Sequence, residues 1–287
     1  MNCLKPAAAF APAPVLSAQP GAPFEVLGEE VPQSQWKAPS PPMPTLGAQE
    51  VHVWSASVGE YSKLVPDFWA VLSHGEQARA LSFKFPKDHD RFIIQCGLLR
   101  WLLSQYLPGH PADHEITRGV HGKPALVASP AVPSLYFNVS HSDALLLYAF
   151  SHTMEVGVDV EHIRPMNDLE NIARNFFAAE EAATLHSLSP NQRLNAFFDC
   201  WTRKEAILKA TGQGITGGVD GVVVNCAPGE PARLLSLWGD TAAAAGWVLT
   251  SLTPAIGYVA ALAYIGPPLE LCCYGIPSMN PGIEATP

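Results

Sequence analysis

Along the chain the spacing of apolar positions alternates between two periods, and each change marks an element. Val51-His52-Val53-Trp54 alternates as an extended strand does, because successive side chains of a strand point to opposite faces. Phe92, Ile93, Leu98, Leu99, Leu102 and Leu103 recur at helical spacing, which predicts a helix over residues 91–107, stopped by Pro108-Gly109. Residues 135–139 and 144–150 read as two strands joined through Ser140-His141-Ser142-Asp143.

A comparable order then returns. The pattern predicts a strand over 156–163, a helical region over 169–188 and a second helix over 195–210, with Gly212 and Gly214 as its stop. Strands follow over 219–225, 247–252 and 258–264. The fold class is therefore α+β, in two halves of similar size, residues 49–153 and 154–266, meeting near 151–155. No short-period repeat runs through the chain, so a solenoid is excluded.

The flanks read differently. Residues 1–48 carry Pro39, Pro41, Pro42 and Pro44 with few periodic apolar positions, and are expected to form an extension without fixed structure. The tail, 267–287, is also proline-rich, although 269–274 has the pattern of a short edge strand.

Composition narrows the function. At 287 residues and 48% hydrophobic the chain can bury a sizeable core. A net charge of −9 argues against a general nucleic-acid binder, so a polyanionic ligand must meet a local basic pocket. Six cysteines without a C-x-x-C pair make a disulfide framework or structural zinc site unexpected, and a reducing cytoplasm fits them. The alanine-rich stretch 242–265 is interrupted by Gly246, Pro254 and Gly257, and no membrane segment or secretory signal is read.

Two segments carry the chemistry. In 156–161, strand geometry sends Val156, Val158 and Val160 to one face and Asp159 and Glu161 together to the other. In 195–210, Trp201, Lys204, Glu205, Leu208 and Lys209 share a helical stripe. Taken separately, each has a plain alternative: a solvated edge strand, and a surface helix with one Glu-Lys pair contributing ~0.3 kcal/mol. Taken together, three carboxylates suit Mg²⁺, which takes oxygen ligands, and Lys204 or Lys209 nearby would stabilise phosphate charge.

Other polar turns add to this. His141 is placed to donate to a phosphate, whereas Ser140 and His141 are an awkward nucleophile and base, since neighbours on a strand point apart. His121-Gly122-Lys123-Pro124 presents a turn lysine, and Lys87, His89, Arg91 and Arg100 form a loose basic group. Residue chemistry stops at a metal and phosphate site. A transferase, a metal-dependent phosphohydrolase and an inactive coenzyme-A-binding module all remain open.

In order, the motifs H-G-K-P (121–124), F-N-V-S-H-S (137–142), G-V-D-V-E (157–161), F-F-A-A-E-E (176–181) and W-T-R-K-E-A-I-L-K (201–209) resemble those of the Sfp-type 4′-phosphopantetheinyl transferases, over residues 51–265. The resemblance implies two pseudo-symmetric α+β halves with coenzyme A and Mg²⁺ in the cleft between them. It assigns the metal to Asp159, Glu161 and Glu205, and coenzyme A to Arg91, Lys123, Ser140, His141 and Lys209, with Arg100 as a further candidate. Glu205 would help deprotonate the acceptor serine, and Lys209 would assist the departing 3′,5′-ADP. Glu181 matches the acidic residue after the paired phenylalanines, where a solvated helix N-terminus reads equally well.

The implied partner is an apo acyl carrier protein or peptidyl carrier domain, an acidic helical bundle docking on an apolar, partly basic patch. The enzyme is expected to act as a monomer in the cytoplasm, with no nucleic-acid or membrane partner. The proline-rich extension has no counterpart in the resemblance.

Overall fold

The computed structural model describes residues 30–119, 121–127, 133–213 and 218–280. The first half runs β1 (Glu50–Ser57), α1 (Val65–Val71), α2 (His74–Leu81), α3 (Pro86–Tyr106), β2 (Ile116–Arg118), β3 (Pro124–Leu126), β4 (Tyr136–Ser142) and β5 (Leu145–Ser151). The second runs β6 (Val156–His162), α4 (Leu169–Phe176), α5 (Ala179–Ser187), α6 (Pro190–Thr211), β7 (Val222–Val224), β8 (Leu234–Leu237), β9 (Trp247–Leu252), β10 (Tyr258–Ile265) and β11 (Glu270–Gly275).

Two sheets form, in the orders β11-β1-β5-β4 and β6-β10-β9. Alternation along the strands divides the core into layers. On β5, Leu146, Tyr148 and Phe150 face α3, whose Ile93, Ile94, Leu98, Leu102 and Leu103 are buried. Leu145, Leu147 and Ala149 face the other way, onto Val156, Val158 and Val160 of β6 and Leu262 and Tyr264 of β10. The far side of the second sheet, with Ala261 and Ala263, carries α6 through Ala206, Ile207 and Ala210. The molecule is thus helix, sheet, sheet, helix.

Several expectations change. β11 pairs in parallel with β1, Glu50 opposite Glu270, so the end of the chain returns to the first half and the boundary at 266 does not separate two contiguous units. Strand pairing answers the edge-strand alternative for 269–274. Within the extension, Val31 donates to the Ser251 carbonyl at 3.0 Å and accepts from Thr253 at 3.0 Å, while Lys37 donates to Cys273 at 2.9 Å and accepts from Gly275 at 2.9 Å. Residues 31–37 therefore cross the outer edges of both sheets. Open edges offer backbone partners that composition does not reveal, and the donors here are not prolines. Residues 1–29 of the extension, 281–287 of the tail and Gly214 lie outside the described residues.

The helical region at 169–188 is two helices, divided where the Glu181 carboxylate accepts from the Ala178 amide at 2.7 Å. Helix α6 begins earlier than its apolar period, at Pro190, and ends on Gly212 at φ 70°. Only Val222–Val224 of the strand predicted at 219–225 is extended, paired with β8 in a separate hairpin. No described helix is long and apolar enough to cross a membrane.

Candidate functional site

Gly157, Asp159 and Glu161 are the β6 residues that turn away from the valine layer. At Gly157 a methyl group would overlap the Ala206 carbonyl oxygen and the Ala210 amide nitrogen, so α6 rests backbone against backbone on the strand. That approach sets Glu205 and Lys209 against the acids of β6. The Lys209 Nζ lies 2.6 Å from Asp159 Oδ1, and donates to Ser140 Oγ at 2.8 Å and the Val158 carbonyl at 3.2 Å.

Asp159 and Glu205 are each 6% exposed, and one oxygen of each, Asp159 Oδ2 and Glu205 Oε1, has no hydrogen-bond partner among the described residues. Burial, then the repulsion of Asp159, raises the Glu205 carboxyl from 4.5 to about 7 against the pull of Lys209. Glu161 accepts from Ser142 Oγ at 2.8 Å and from Arg164 at 3.2 Å. Turned that way, its oxygens do not converge with those of Asp159 and Glu205 within 4.8 Å of one another.

These groups floor a cleft of about 830 Å³ between the halves, walled by Gln95, Arg118, His121 and Trp201. His141 points to the opposite side of β4 from Ser140 and stands at the mouth, so the two are no catalytic pair. Loss of water around its ring, then the cations of Arg91 and Lys209, push its imidazole down to about 4. Arg91 itself is paired with Asp88 at 2.9 Å. Lys123 reaches from the hairpin of β2 and β3 to Glu155 at 2.6 Å and to the carbonyls of Val156 and Ala210 at 3.2 and 3.4 Å, tying that hairpin to the end of α6.

Other expected site residues are elsewhere. Arg100 is buried, held by Glu76 at 2.8 Å and by the carbonyls of Pro111 and His114 at 3.0 Å each, so it is a structural tie and not a phosphate contact. Its place among the leucines of α3 is the signal that pointed inward. Lys204 turns from the cleft into the second core, paired with Glu181 at 2.6 Å and bonded to the Val222 carbonyl. Glu181 is likewise buried, accepting from Val224 at 2.8 Å, rather than solvated at a helix start. The thiols of Cys200 and Cys226 converge on Glu181 within 4.8 Å, but the Lys204 ammonium already supplies that site with its cation. Arg118 and Ser142 had no role in the sequence reading. Both sit in stretches, a short hairpin and a polar strand end, whose partners are distant in sequence.

The donor set fits a hard divalent cation. It is all oxygen, and two of its buried carboxylate oxygens lack any other partner, a costly arrangement that a cation would relieve.

Comparison with known proteins agrees with this geometry. Residues 155–263 match the model of the 4′-phosphopantetheinyl transferase superfamily, and residues 52–153 match that of the 4′-phosphopantetheinyl transferase N-terminal domain. The chain is similar to the 4′-phosphopantetheinyl transferase HetI of Nostoc sp., 39% identical over 82% of this chain and 95% of that protein. It is also similar to AcpT of Escherichia coli (strain K12), 40% identical over 39% of this chain and 57% of that protein, and to Sfp of Bacillus subtilis (strain 168), 27% identical over 53% and 66%. With both halves matched and its catalytic cleft between them, the chain belongs to the 4′-phosphopantetheinyl transferase superfamily and is a transferase of that family.

Proposed function

We propose that this enzyme transfers the 4′-phosphopantetheine arm of coenzyme A to a serine of an apo acyl carrier protein or peptidyl carrier domain, releasing 3′,5′-ADP. The observation that carries the reading is Glu205, buried with a free oxygen beside the Lys209 and Asp159 pair on the cleft floor. The serine oxygen forms a bond to phosphorus as the bond from phosphorus to 3′,5′-ADP breaks, and the serine proton passes to Glu205.

A carboxyl raised to about 7 is well matched to that proton transfer near neutral pH. Lys209 meets the charge that grows on the departing phosphate, and neutral His141 beside Arg91 offers a donor at the mouth. Asp159, Glu161 and Glu205 would hold Mg²⁺, which supplies charge neutralisation to the pyrophosphate when bound.

The carrier docks on the loop between α2 and α3, where Leu81 is 69% and Phe85 57% exposed. Lys84 lies over the Phe85 ring at 5.6 Å and Arg79 over Phe83 at 5.3 Å, giving an acidic chain a locally cationic apolar patch. Five free, buried thiols support a reducing, cytoplasmic setting.

Incubation with coenzyme A, Mg²⁺ and a panel of apo carriers, followed by the carrier's mass, tests the reading. A gain equal to the phosphopantetheine arm is expected. Phosphate release without carrier modification would mark a hydrolase, and intact coenzyme A with unmodified carriers a binding module.

A further inference from the structure

The strands β4 and β6 lie side by side in different sheets and are not paired with each other. Side chains of alternate β4 residues instead take the free amides of β6. Asn138 Oδ1 accepts from Val158 at 2.9 Å, Ser140 Oγ from Val160 at 3.4 Å and Ser142 Oγ from His162 at 3.0 Å. These bonds repeat at a constant offset along both strands.

The consequence lies in the proton of each serine. A hydroxyl that already accepts from a backbone amide has one donor to give, and both serines give it to the acid one residue earlier on β6. Ser140 donates to Asp159 Oδ1 at 2.8 Å and Ser142 to Glu161 Oε2 at 2.8 Å. Opposite Asn138 the corresponding residue is Gly157, which has no carboxylate. The ladder therefore contains its own control: three similar contacts between the sheets, of which only two reach an acid.

We propose that Ser142 is a positioning residue that holds Glu161 ionised and aimed at the cleft as a cation ligand. This rests on the metal reading given under the proposed function. Ser142 is the cleaner case of the two serines, since Ser140 also accepts from Lys209. Without Ser142, Glu161 keeps only Arg164, whose side chain is 52% exposed, and that partner draws the carboxylate outward. Ligand-orienting partners of this kind typically contribute 10- to 100-fold to metal affinity.

The test is calorimetric titration of the full-length protein with Mn²⁺, with and without coenzyme A and with no carrier present, so that no turnover occurs. Ser142→Ala is expected to bind Mn²⁺ about tenfold more weakly and Ser142→Thr to restore the affinity. Asn138→Ala is expected to lower the melting temperature while leaving the Mn²⁺ affinity of the wild type. Should Ser142→Ala fail to give a cooperative melt, Ser142→Cys, with a weaker donor, is expected to show a smaller loss in the same direction. Wild-type affinity in the folded Ser142 variants, or an equal loss in Asn138→Ala, would overturn the proposal. A wild type that binds Mn²⁺ but modifies no carrier contradicts the transfer reading alone, and one that binds no Mn²⁺ contradicts both.

Discussion

Gly157 and Ala206 meet backbone to backbone, and this contact brings a helix carrying Glu205 and Lys209 onto a strand carrying Asp159 and Glu161. Gly157→Ala adds one methyl group where the obstructing atoms belong to the α6 backbone. Overpacking of this kind costs roughly 1–3 kcal/mol. Urea denaturation should show that loss together with at least a tenfold fall in kcat, because the displaced helix carries half of the site with it. Wild-type stability and rate in this variant would contradict the contact.

Opposite faces of α6 should separate stability from activity. Lys204→Ala leaves Glu181 charged and buried, which costs about 3–5 kcal/mol. Lys209→Ala, at the edge of the cleft, should melt near the wild type yet transfer far more slowly. Denaturation and rate measurements on both variants check this, and an active, stable Lys204→Ala would refute the assignment of the buried pair.

The raised Glu205 carboxyl sets a pH dependence with a definite sign. Between its ordinary value of 4.5 and about 7 the folded protein holds this proton while the unfolded chain has lost it. Its contribution to stability is therefore greatest at low pH and is lost as pH rises through about 7. A bound divalent cation offsets the buried charge, so the rise in melting temperature produced by Mg²⁺ should be small at pH 5 and full at pH 8. An increment independent of pH would contradict it.

Docking on Leu81 and Phe85 predicts a selective kinetic effect. Leu81→Asp with Phe85→Glu should raise the KM for an acidic carrier at least tenfold and leave that for coenzyme A near the wild type. Titrating each substrate separately distinguishes the two, and an unchanged carrier KM would move the docking surface elsewhere.

Much of this arrangement was legible in the sequence, for identifiable reasons. The alternation of Val156, Val158 and Val160 with Asp159 and Glu161 is a local property of an extended chain, and the strand keeps it. The direction of Lys204 was not local. Lys204 and Lys209 lie on the same stretch of α6, and only the position of Glu181, brought in by α5, turns one to the core while Asp159 keeps the other at the cleft. Arg100 shows the same limit, because its partners Glu76 and Pro111 come from other segments. Pairing of residues 31–37 and of β11 depends on sheet edges made elsewhere in the chain, which no periodicity records.

The most direct measurement is the mass of an apo carrier protein after incubation with coenzyme A, Mg²⁺ and either the wild type or Glu205→Gln. That substitution preserves the shape of the side chain and removes its charge and basicity. The account predicts full conversion to the phosphopantetheinylated carrier by the wild type, and an unmodified carrier with the variant, which still melts cooperatively. Conversion by Glu205→Gln at the wild-type rate would contradict it.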